Sequence, residues 1–196
     1  MKGKFIVFEG ADKTGKTTLA HKLTNYLITQ NILVHQTYEP TLSTIYGREL
    51  RYNSNLTELE RTCLFIADRQ HHVVEIQEKL ERGINVICDR FYWSSLTYNC
   101  ETSIQKQLVY DSILKIPIIP DYLIYTYRPE YYYVNYNDPR GIQLYENKAK
   151  QKKVVEKYNI WLNEIQEIPL LKLDTNTKKS ECLNQILSFI KLPCLQ

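Results

Sequence analysis

Near its beginning the chain carries the octapeptide Gly10-Ala11-Asp12-Lys13-Thr14-Gly15-Lys16-Thr17. These residues match the pattern G-x-x-x-x-G-K-[ST] in full, between an apolar run, Lys4–Phe8, and a helical pattern that begins at Thr17. Glycines let such a loop wrap so that backbone N–H groups point at phosphate oxygens, and the helix behind it presents its positive end. The Lys16 ammonium suits the β- and γ-phosphates of ATP, and the Thr17 hydroxyl suits Mg²⁺. We therefore expect a phosphate-binding loop, called the P-loop below, for ATP and Mg²⁺.

The composition is that of one ordinary domain spanning residues 1–196. Of these 196 residues, 43% are hydrophobic, which is enough for a core, and the net charge of only +3 gives no reason to expect a nucleic-acid partner. The five cysteines include no C-x-x-C pair, so we expect free thiols in a reducing compartment. Because no stretch is long enough to span a bilayer, we expect a cytoplasmic protein without a membrane partner.

Short apolar runs alternate with longer helical patterns along the chain. The predicted strands are Lys4–Phe8, Ile32–Thr37, Ile84–Cys88, Tyr122–Tyr127 and Leu170–Leu173. The predicted helices are Thr17–Gln30, Leu56–Arg82, Ile104–Lys115, Gln143–Glu167 and Lys178–Lys191. This alternation predicts an α/β fold, a three-layer P-loop NTPase sandwich, with a five-stranded parallel sheet and helices on both faces.

Two segments carry more specific signals. The longest helical pattern has a capping box at its start, Thr57-x-x-Glu60, and a glycine where a helix commonly ends, Gly83. The segment Glu130–Gly141 is rich in tyrosine and asparagine, which predicts either a helix with a mobile loop or tyrosines that merely fill the surface. We expect a small lid at about residues 129–147.

A P-loop identifies the phosphate donor but leaves the acceptor open. A GTPase would also need the guanine-reading pattern N-K-x-D, whereas Asn147-Lys148 is followed by Ala149-Lys150. The sequence Asp138-x-x-Gly141 resembles the magnesium motif of GTPases, but it does not follow an apolar strand. The acceptor has to be predicted from other residues.

Two residue pairs are candidates for the acceptor site. Asp89-Arg90 follows the third predicted strand, so both side chains belong at the carboxyl edge of the sheet, the aspartate near Mg²⁺ and the arginine on a phosphate. The alternative is a surface ion pair. Phe65 and Arg69 share one helix face, where a ring can stack on a base and a guanidinium can donate to a base carbonyl. The alternative is a core phenylalanine beside a solvated arginine.

Over most of its length the chain resembles the thymidylate kinase family of P-loop nucleoside monophosphate kinases. The segment Phe8 to Thr18 is similar to the family's P-loop, and the resemblance implies that its residues hold the donor. It also implies that Asp12 contacts the 3′-hydroxyl of the acceptor sugar. Lys13 stands where one branch of the family keeps an arginine that contacts the donor phosphates. A lysine keeps the positive charge but lacks the forked geometry of a guanidinium.

The segment Asp89 to Tyr98 is similar to the family pattern D-R-Y-x-x-S-x-x-A-Y. The resemblance implies that Arg90 binds the acceptor phosphate and that Ser95, with Ser94 beside it, belongs to the substrate site. It implies further that Tyr98 packs against C2′ of a deoxy sugar. Phe65 and Arg69 match the family's F-x-x-x-R.

Further resemblances are spread along the chain. Tyr145-Glu146 and the following Gln151 look like family residues that bind substrate and, through Glu146, orient magnesium or water. Leu144 stands where many members carry an arginine, which makes Arg140 the leading lid cation. Earlier, Glu39-Pro40-Thr41 and Gly47-Arg48-Glu49-Leu50-Arg51 look like the family's E-P-T and G-R-x-I-R elements. There, Arg48 or Arg51 can hold phosphate, or both can lie on a solvated helix face.

The resemblance implies transfer of the γ-phosphoryl of ATP to dTMP, which gives dTDP and ADP for dTTP synthesis. The catalytic set is Lys16, Arg90, Asp12 and Arg140, and the metal set is Thr17, Asp89 and Glu146. The family usually forms homodimers, and Leu56–Arg82 can supply the interface. One alternative is a deoxynucleoside kinase, for which Glu39 is the only candidate base. Another is a non-catalytic nucleotide-binding regulator, in which a broken P-loop or Asp-Arg pair would be expected.

Overall fold

Strands and helices alternate in the computed structural model, which describes residues 1–128 and 148–191. The strands are β1 (Phe5–Glu9), β2 (Val34–Tyr38), β3 (Asn85–Asp89), β4 (Tyr122–Tyr127) and β5 (Leu170–Asp174). The helices in these residues are α1 (Lys16–Thr29), α2 (Ile45–Tyr52), α3 (Glu58–Glu81), α4 (Tyr92–Tyr98), α5 (Ser103–Ile113), α6 (Lys148–Glu164) and α7 (Lys179–Phe189).

The five strands form one parallel sheet in the order β2-β3-β1-β4-β5. Alternate residues of β1 face opposite layers and are fully buried: Phe5 and Val7 pack in one core, Ile6 and Phe8 in the other. The first core includes residues of α3, α4, α5 and α6, and the second includes residues of α1 and α7. Each fully buried Leu, Ile, Val or Phe stabilises the fold by roughly 1.5–3 kcal/mol. The predicted sandwich of helices, sheet and helices is confirmed.

The long helix α3 begins and ends close to where its sequence signals place it. The Thr57 hydroxyl accepts a hydrogen bond from the Glu60 backbone N–H, and the Glu60 carboxylate accepts one from the Thr57 backbone N–H at 2.7 Å. Gly83 follows the helix with φ of 78°, a left-handed conformation that favours glycine. The predicted capping box is therefore confirmed.

The predicted order of elements left out two short helices, α2 and α4. Helix α4 spells Tyr-Trp-Ser-Ser-Leu-Thr-Tyr, a sequence of modest helix formers with no capping side chain at its start. Distant contacts stabilise it, because the backbone N–H groups of Phe91 and Ser94 donate to the Glu9 carboxylate. A sequence pattern does not reveal this cap, because the carboxylate that provides it, Glu9, belongs to strand β1 and is distant in the sequence.

Some predicted boundaries also move. Strand β2 begins at Val34 rather than Ile32, and helix α6 ends at Glu164 rather than Glu167. The predicted lid, residues 129–147, and the Tyr-rich segment within it lie outside the described residues. In the part of the chain that the structure describes, every helix is too short or too polar to cross a membrane.

Candidate active site

The P-loop connects the end of β1 to the start of α1, as the motif predicts. At Gly10, φ is 143°, and a Cβ added there would lie 2.3 Å from the Thr126 carbonyl oxygen, so only glycine lets the loop pass this close to β4. Gly15, with φ of 91°, is the N-cap residue of α1. Lys16 and Thr17 therefore occupy the first turn of the helix, where backbone N–H groups suit an anion.

Lys16 is the charged group at the centre of this loop. Its ammonium donates to the Ala11 carbonyl at 2.7 Å, and the residue is only 5% exposed. Burial and the nearby Arg90 guanidinium lower the pKa of Lys16 to about 8. A phosphate group beside this ammonium would oppose that shift, because an anion favours the charged form.

The other P-loop side chains divide into an inner and an outer set. The Thr14 hydroxyl is buried, donates to the Ala11 carbonyl at 2.8 Å and shares a 2.7 Å hydrogen bond with the Thr126 hydroxyl. The Thr14 hydroxyl therefore shapes the loop from inside. Lys13, Thr17 and Thr18 have exposed side chains.

Two of the three predicted metal ligands are adjacent. The Thr17 hydroxyl donates to one carboxylate oxygen of Asp89, at the end of β3. The other oxygen, Oδ1, is buried and has no hydrogen-bond partner among residues 1–128 and 148–191. Mg²⁺ usually binds one or two protein oxygens together with substrate phosphates, so the hydroxyl and the carboxylate fit this ion. Glu146 lies outside the described residues.

Arg90 follows β3 with φ of 76° and faces the P-loop. Its guanidinium donates to the Asp12 carboxylate, to the Ser94 hydroxyl at 3.1 Å and to the Gly10 carbonyl at 3.5 Å. Its central carbon lies 5.3 Å from the centre of the Tyr98 ring, in reach of a cation–π contact. The structure thus places four predicted site residues, Asp12, Arg90, Ser94 and Tyr98, around one point beside the P-loop.

The charges in this cluster stabilise each other. Burial alone would raise the pKa of Asp12, but Arg90, Lys16 and Lys13 outweigh it and the pKa is lowered. Burial alone would lower the pKa of Arg90, yet Asp12 and the other groups around it hold the pKa well above its usual value. Both groups therefore keep their charges near neutral pH, and Asp12 partly neutralises an arginine that stays 19% exposed in its side chain.

A second cluster surrounds Arg69. Its Nε donates to Glu39 at 2.7 Å, and its Nη2 donates to the Ser95 hydroxyl at 2.9 Å. The third nitrogen, Nη1, is buried without a hydrogen-bond partner in the described part of the chain. Arg69 is only 2% exposed, so the alternative of a solvated arginine was wrong. Phe65, one helical turn earlier, is half-buried.

Glu39, at the carboxyl end of β2, is the counter-ion of this cluster. One carboxylate oxygen binds Arg69, and the other lies 3.2 Å from Nδ1 of the buried His72. Burial alone would raise the pKa of Glu39, but Arg69 and His72 outweigh burial and lower it. The second ring nitrogen of His72 shares a 2.7 Å hydrogen bond with Thr37. Sequence reasoning missed His72, although it lies three residues after Arg69 and therefore on the same helix face.

Sequence reasoning also missed Glu9 as a site residue. It is the last residue of β1 and is fully buried, and its carboxylate contacts the start of α4. The signal was present, because a carboxylate that directly precedes a P-loop in an otherwise apolar strand needs buried partners.

The remaining candidates have no described role in the two clusters. Arg48 and Arg51 are exposed on α2, and Arg48 donates to the carbonyls of Leu42 and Ser43 at 2.9 and 3.1 Å, so they form a solvated helix face. Arg140 and Tyr145 lie outside the described residues. Gln151 lies in α6, but its side chain is also outside them.

Comparison with known sequences identifies the family. A sequence model of thymidylate kinase matches residues 8–186. The thymidylate kinase of Plasmodium falciparum is 34% identical over 168 residues, which cover 83% of this chain and 79% of the relative. This chain belongs to the thymidylate kinase family. A probable thymidylate kinase of Methanococcus maripaludis is 31% identical over 200 aligned positions, which cover 97% of each chain.

Solved thymidylate kinases share the fold. The crystal structure of the enzyme from Ehrlichia chaffeensis aligns with a TM-score of 0.73 at 23% identity and covers 96% of this chain and 98% of that one. The structure from Candida albicans aligns with a TM-score of 0.71 at 22% identity and covers 97% of this chain and 92% of that one. The predicted α/β fold and the predicted family are both confirmed.

Proposed function

We propose that this protein transfers the γ-phosphoryl group of ATP to dTMP and releases dTDP and ADP. The observation that carries this proposal is the position of Arg90, which lies between the P-loop and Tyr98 with its guanidinium paired to Asp12. A cation at this point can bind the phosphate of an acceptor next to a donor held by the P-loop. Membership of the thymidylate kinase family supports dTMP as that acceptor.

The donor side of the mechanism uses the P-loop. Backbone N–H groups of residues 10–18 and the Lys16 ammonium hold the phosphates of ATP and fix the γ-phosphoryl in place. Thr17 and Asp89 would hold Mg²⁺ through the hydroxyl and the carboxylate oxygens described above. A bound Mg²⁺ neutralises charge on the phosphate oxygens.

On the acceptor side, Arg90 orients the phosphate of dTMP in line with the γ-phosphoryl. A phosphate oxygen of dTMP is itself the nucleophile and is already ionised near neutral pH, so no general base is needed. Asp12 accepts a hydrogen bond from the 3′-hydroxyl, and the Tyr98 ring packs against C2′, where a ribose hydroxyl would clash. Alignment and charge stabilisation are then the main sources of catalysis.

The pyrimidine base is proposed to lie against α3. The Phe65 ring stacks on the base, and Nη1 of Arg69 donates to a base carbonyl. Ser95 and Glu39 hold the guanidinium from its other edges, so its direction is fixed before the substrate arrives.

Both alternatives fit the site less well. A deoxynucleoside kinase needs a carboxylate base at a hydroxyl acceptor, but both oxygens of Glu39 bind other side chains, Arg69 and His72. A non-catalytic regulator would explain neither the intact P-loop nor the paired Asp89 and Arg90 beside it.

Some parts of the proposal depend on the resemblance alone. We propose that residues 129–147 form a lid over a single domain, in which Arg140 contacts the γ-phosphoryl and Glu146 orients magnesium or water. Tyr145 and Gln151 are proposed substrate contacts. We also propose a cytoplasmic homodimer joined through α3, whose Leu59 and Val74 are 44% and 54% exposed.

Steady-state rates on dTMP, dUMP, dGMP and UMP, measured by coupling ADP release to NADH oxidation, test the proposed acceptor. We expect the highest kcat/KM on dTMP and a large loss on UMP, because Tyr98 excludes the ribose hydroxyl. A preference for UMP or for dGMP over dTMP would contradict the proposal.

A further inference from the structure

The buried carboxylate of Glu9 connects the end of β1 to α4 and α6. Its Oε1 accepts hydrogen bonds from the backbone N–H groups of Phe91 and Ser94, at 2.8 and 3.1 Å. Its Oε2 accepts one from the Ser94 hydroxyl at 2.8 Å and one from the Tyr158 hydroxyl at 2.7 Å. Glu9 is 0% exposed, so these protein groups replace all of its contact with water.

The donors around Glu9 fix the direction of the hydrogen bonds that reach Arg90. A carboxylate can only accept, so the single proton of the Ser94 hydroxyl points at Glu9. The lone pairs of that hydroxyl then face Arg90, whose Nη1 donates to it at 3.1 Å. Glu9 thus makes Ser94 an acceptor for the guanidinium.

A neutral side chain of the same shape would not fix the Ser94 hydroxyl as an acceptor for Arg90. The amide nitrogen of a glutamine at position 9 can donate to the Ser94 hydroxyl, which would then be free to turn its own proton toward Arg90. The Ser94 proton could then point either at the Tyr158 hydroxyl, 3.1 Å away, or at the guanidinium, and in the second case two donors would face each other at the 3.1 Å contact between Ser94 and Arg90. The carboxylate is therefore the group that suits the observed position of Arg90. Burial raises the pKa of Glu9, while the charge of Arg90 and the donated hydrogen bonds oppose that rise.

We propose that Glu9 is a positioning residue for acceptor binding, which holds Arg90 in place through the Ser94 hydroxyl. This inference rests on the proposed function, because it takes Arg90 as the ligand of the acceptor phosphate. Glu9 is fully buried, and its hydrogen bonds reach Arg90 through Ser94 and the start of α4.

Three variants of the full chain test the proposal: Glu9→Gln, Ser94→Ala and the double variant. The measurements are the Kd for dTMP without ATP, by calorimetry, and the KM for each substrate. We expect Glu9→Gln to weaken dTMP binding by about tenfold or more, with the KM for ATP changed less than about twofold. In the Ser94→Ala background, Glu9→Gln should change the dTMP affinity by less than about twofold, because the hydrogen-bonded link from Glu9 through Ser94 to Arg90 is already absent.

Tyr158→Phe is the matched control, since it removes a donor from the same carboxylate oxygen and a 3.1 Å contact of the Ser94 hydroxyl, but keeps Glu9, Ser94 and Arg90 themselves. It should lower Tm while the dTMP affinity stays within about twofold. The proposal would be overturned if dTMP affinity fell in every variant, Tyr158→Phe included, in proportion to the fall in Tm. A Glu9→Gln effect that persists at full size in the Ser94→Ala background would also overturn it.

A wild-type protein that neither binds nor phosphorylates dTMP would refute the proposed function but not the role of Glu9. Crystal structures of the wild-type protein and of Glu9→Gln decide that role without any substrate. We expect the guanidinium of Arg90 to leave the Ser94 hydroxyl in the variant. A guanidinium that keeps its wild-type distance to Ser94 would overturn the inference.

Discussion

At the scale of single residues, Lys16 makes donor binding dependent on pH. Its pKa is about 8 in the free protein, so the ammonium is charged below that pH and loses its charge as the pH rises through it. We expect kcat/KM for ATP to fall on the alkaline side of about pH 8, because the neutral amine no longer attracts phosphate. The alkaline limb of kcat should lie at higher pH, since bound phosphates favour the charged form.

The pH profile from about pH 6 to about pH 10 checks this prediction. Lys16→Ala is the companion variant and should abolish turnover while the circular dichroism spectrum stays that of the wild type. A kcat/KM for ATP that stays level past pH 9, or turnover that survives in the variant, would show that Lys16 does not hold the phosphates.

Arg69 is a second residue whose geometry matters as much as its charge. Nε and Nη2 bind Glu39 and Ser95 and leave Nη1 for the base, an arrangement that a lysine ammonium cannot reproduce. We expect Arg69→Lys to lower kcat/KM for dTMP by about 10- to 100-fold and to leave the KM for ATP nearly unchanged.

Initial rates at varied dTMP and at varied ATP measure both effects. Arg82→Lys is the control, because Arg82 is the exposed C-cap residue of the same helix, α3. Equal kinetic constants for Arg69→Lys and Arg82→Lys would show that Arg69 does not contribute to acceptor binding.

At the scale of elements, α2 depends on a glycine. A Cβ added at Gly47 would lie 1.6 Å from the Thr41 carbonyl oxygen, far inside contact distance. The loop after β2 would have to move, and with it the hydrogen bond from the Thr41 N–H to Asp68 on α3. We expect Gly47→Ala to destabilise the protein by roughly 2 kcal/mol.

Urea unfolding of Gly47→Ala and of Arg51→Ala measures that cost. Arg51 is exposed on the same helix, so its substitution should change the free energy of unfolding by less than about 0.5 kcal/mol. Equal stability of the two variants would mean that the loop adjusts to the added methyl group without cost.

The elements that could be predicted are those whose signals are local. The capping box of α3 lies within four residues, and the first four residues of β1, Phe5 to Phe8, are all apolar. Helix α4 could not be predicted, because its stabilising partner, Glu9, is more than 80 residues away. The site shows the same division: the P-loop is a contiguous pattern, whereas the link from Arg69 through Glu39 to His72 exists only after β2 and α3 pack together.

At the scale of the whole molecule, the strand order assembles the site. Strands β2, β3 and β1 are neighbours in the sheet, so their carboxyl ends bring Glu39, Asp89 and the P-loop to one edge. The alternation of strands and helices predicted a parallel sheet but not this order. Arg90 and Arg69 are 21 positions apart in the sequence, yet both contact residues 91–98, Arg90 through Ser94 and Arg69 through Ser95.

We propose that the acceptor is a nucleoside monophosphate and not a nucleoside. The most direct measurement gives the protein ATP, Mg²⁺ and an equimolar mixture of dTMP and thymidine, and identifies the phosphorylated products by chromatography. We expect dTDP to form from dTMP and thymidine to stay unchanged, because Arg90 binds a phosphate and both oxygens of Glu39 are bound to other side chains. Conversion of thymidine to dTMP without any dTDP would contradict it.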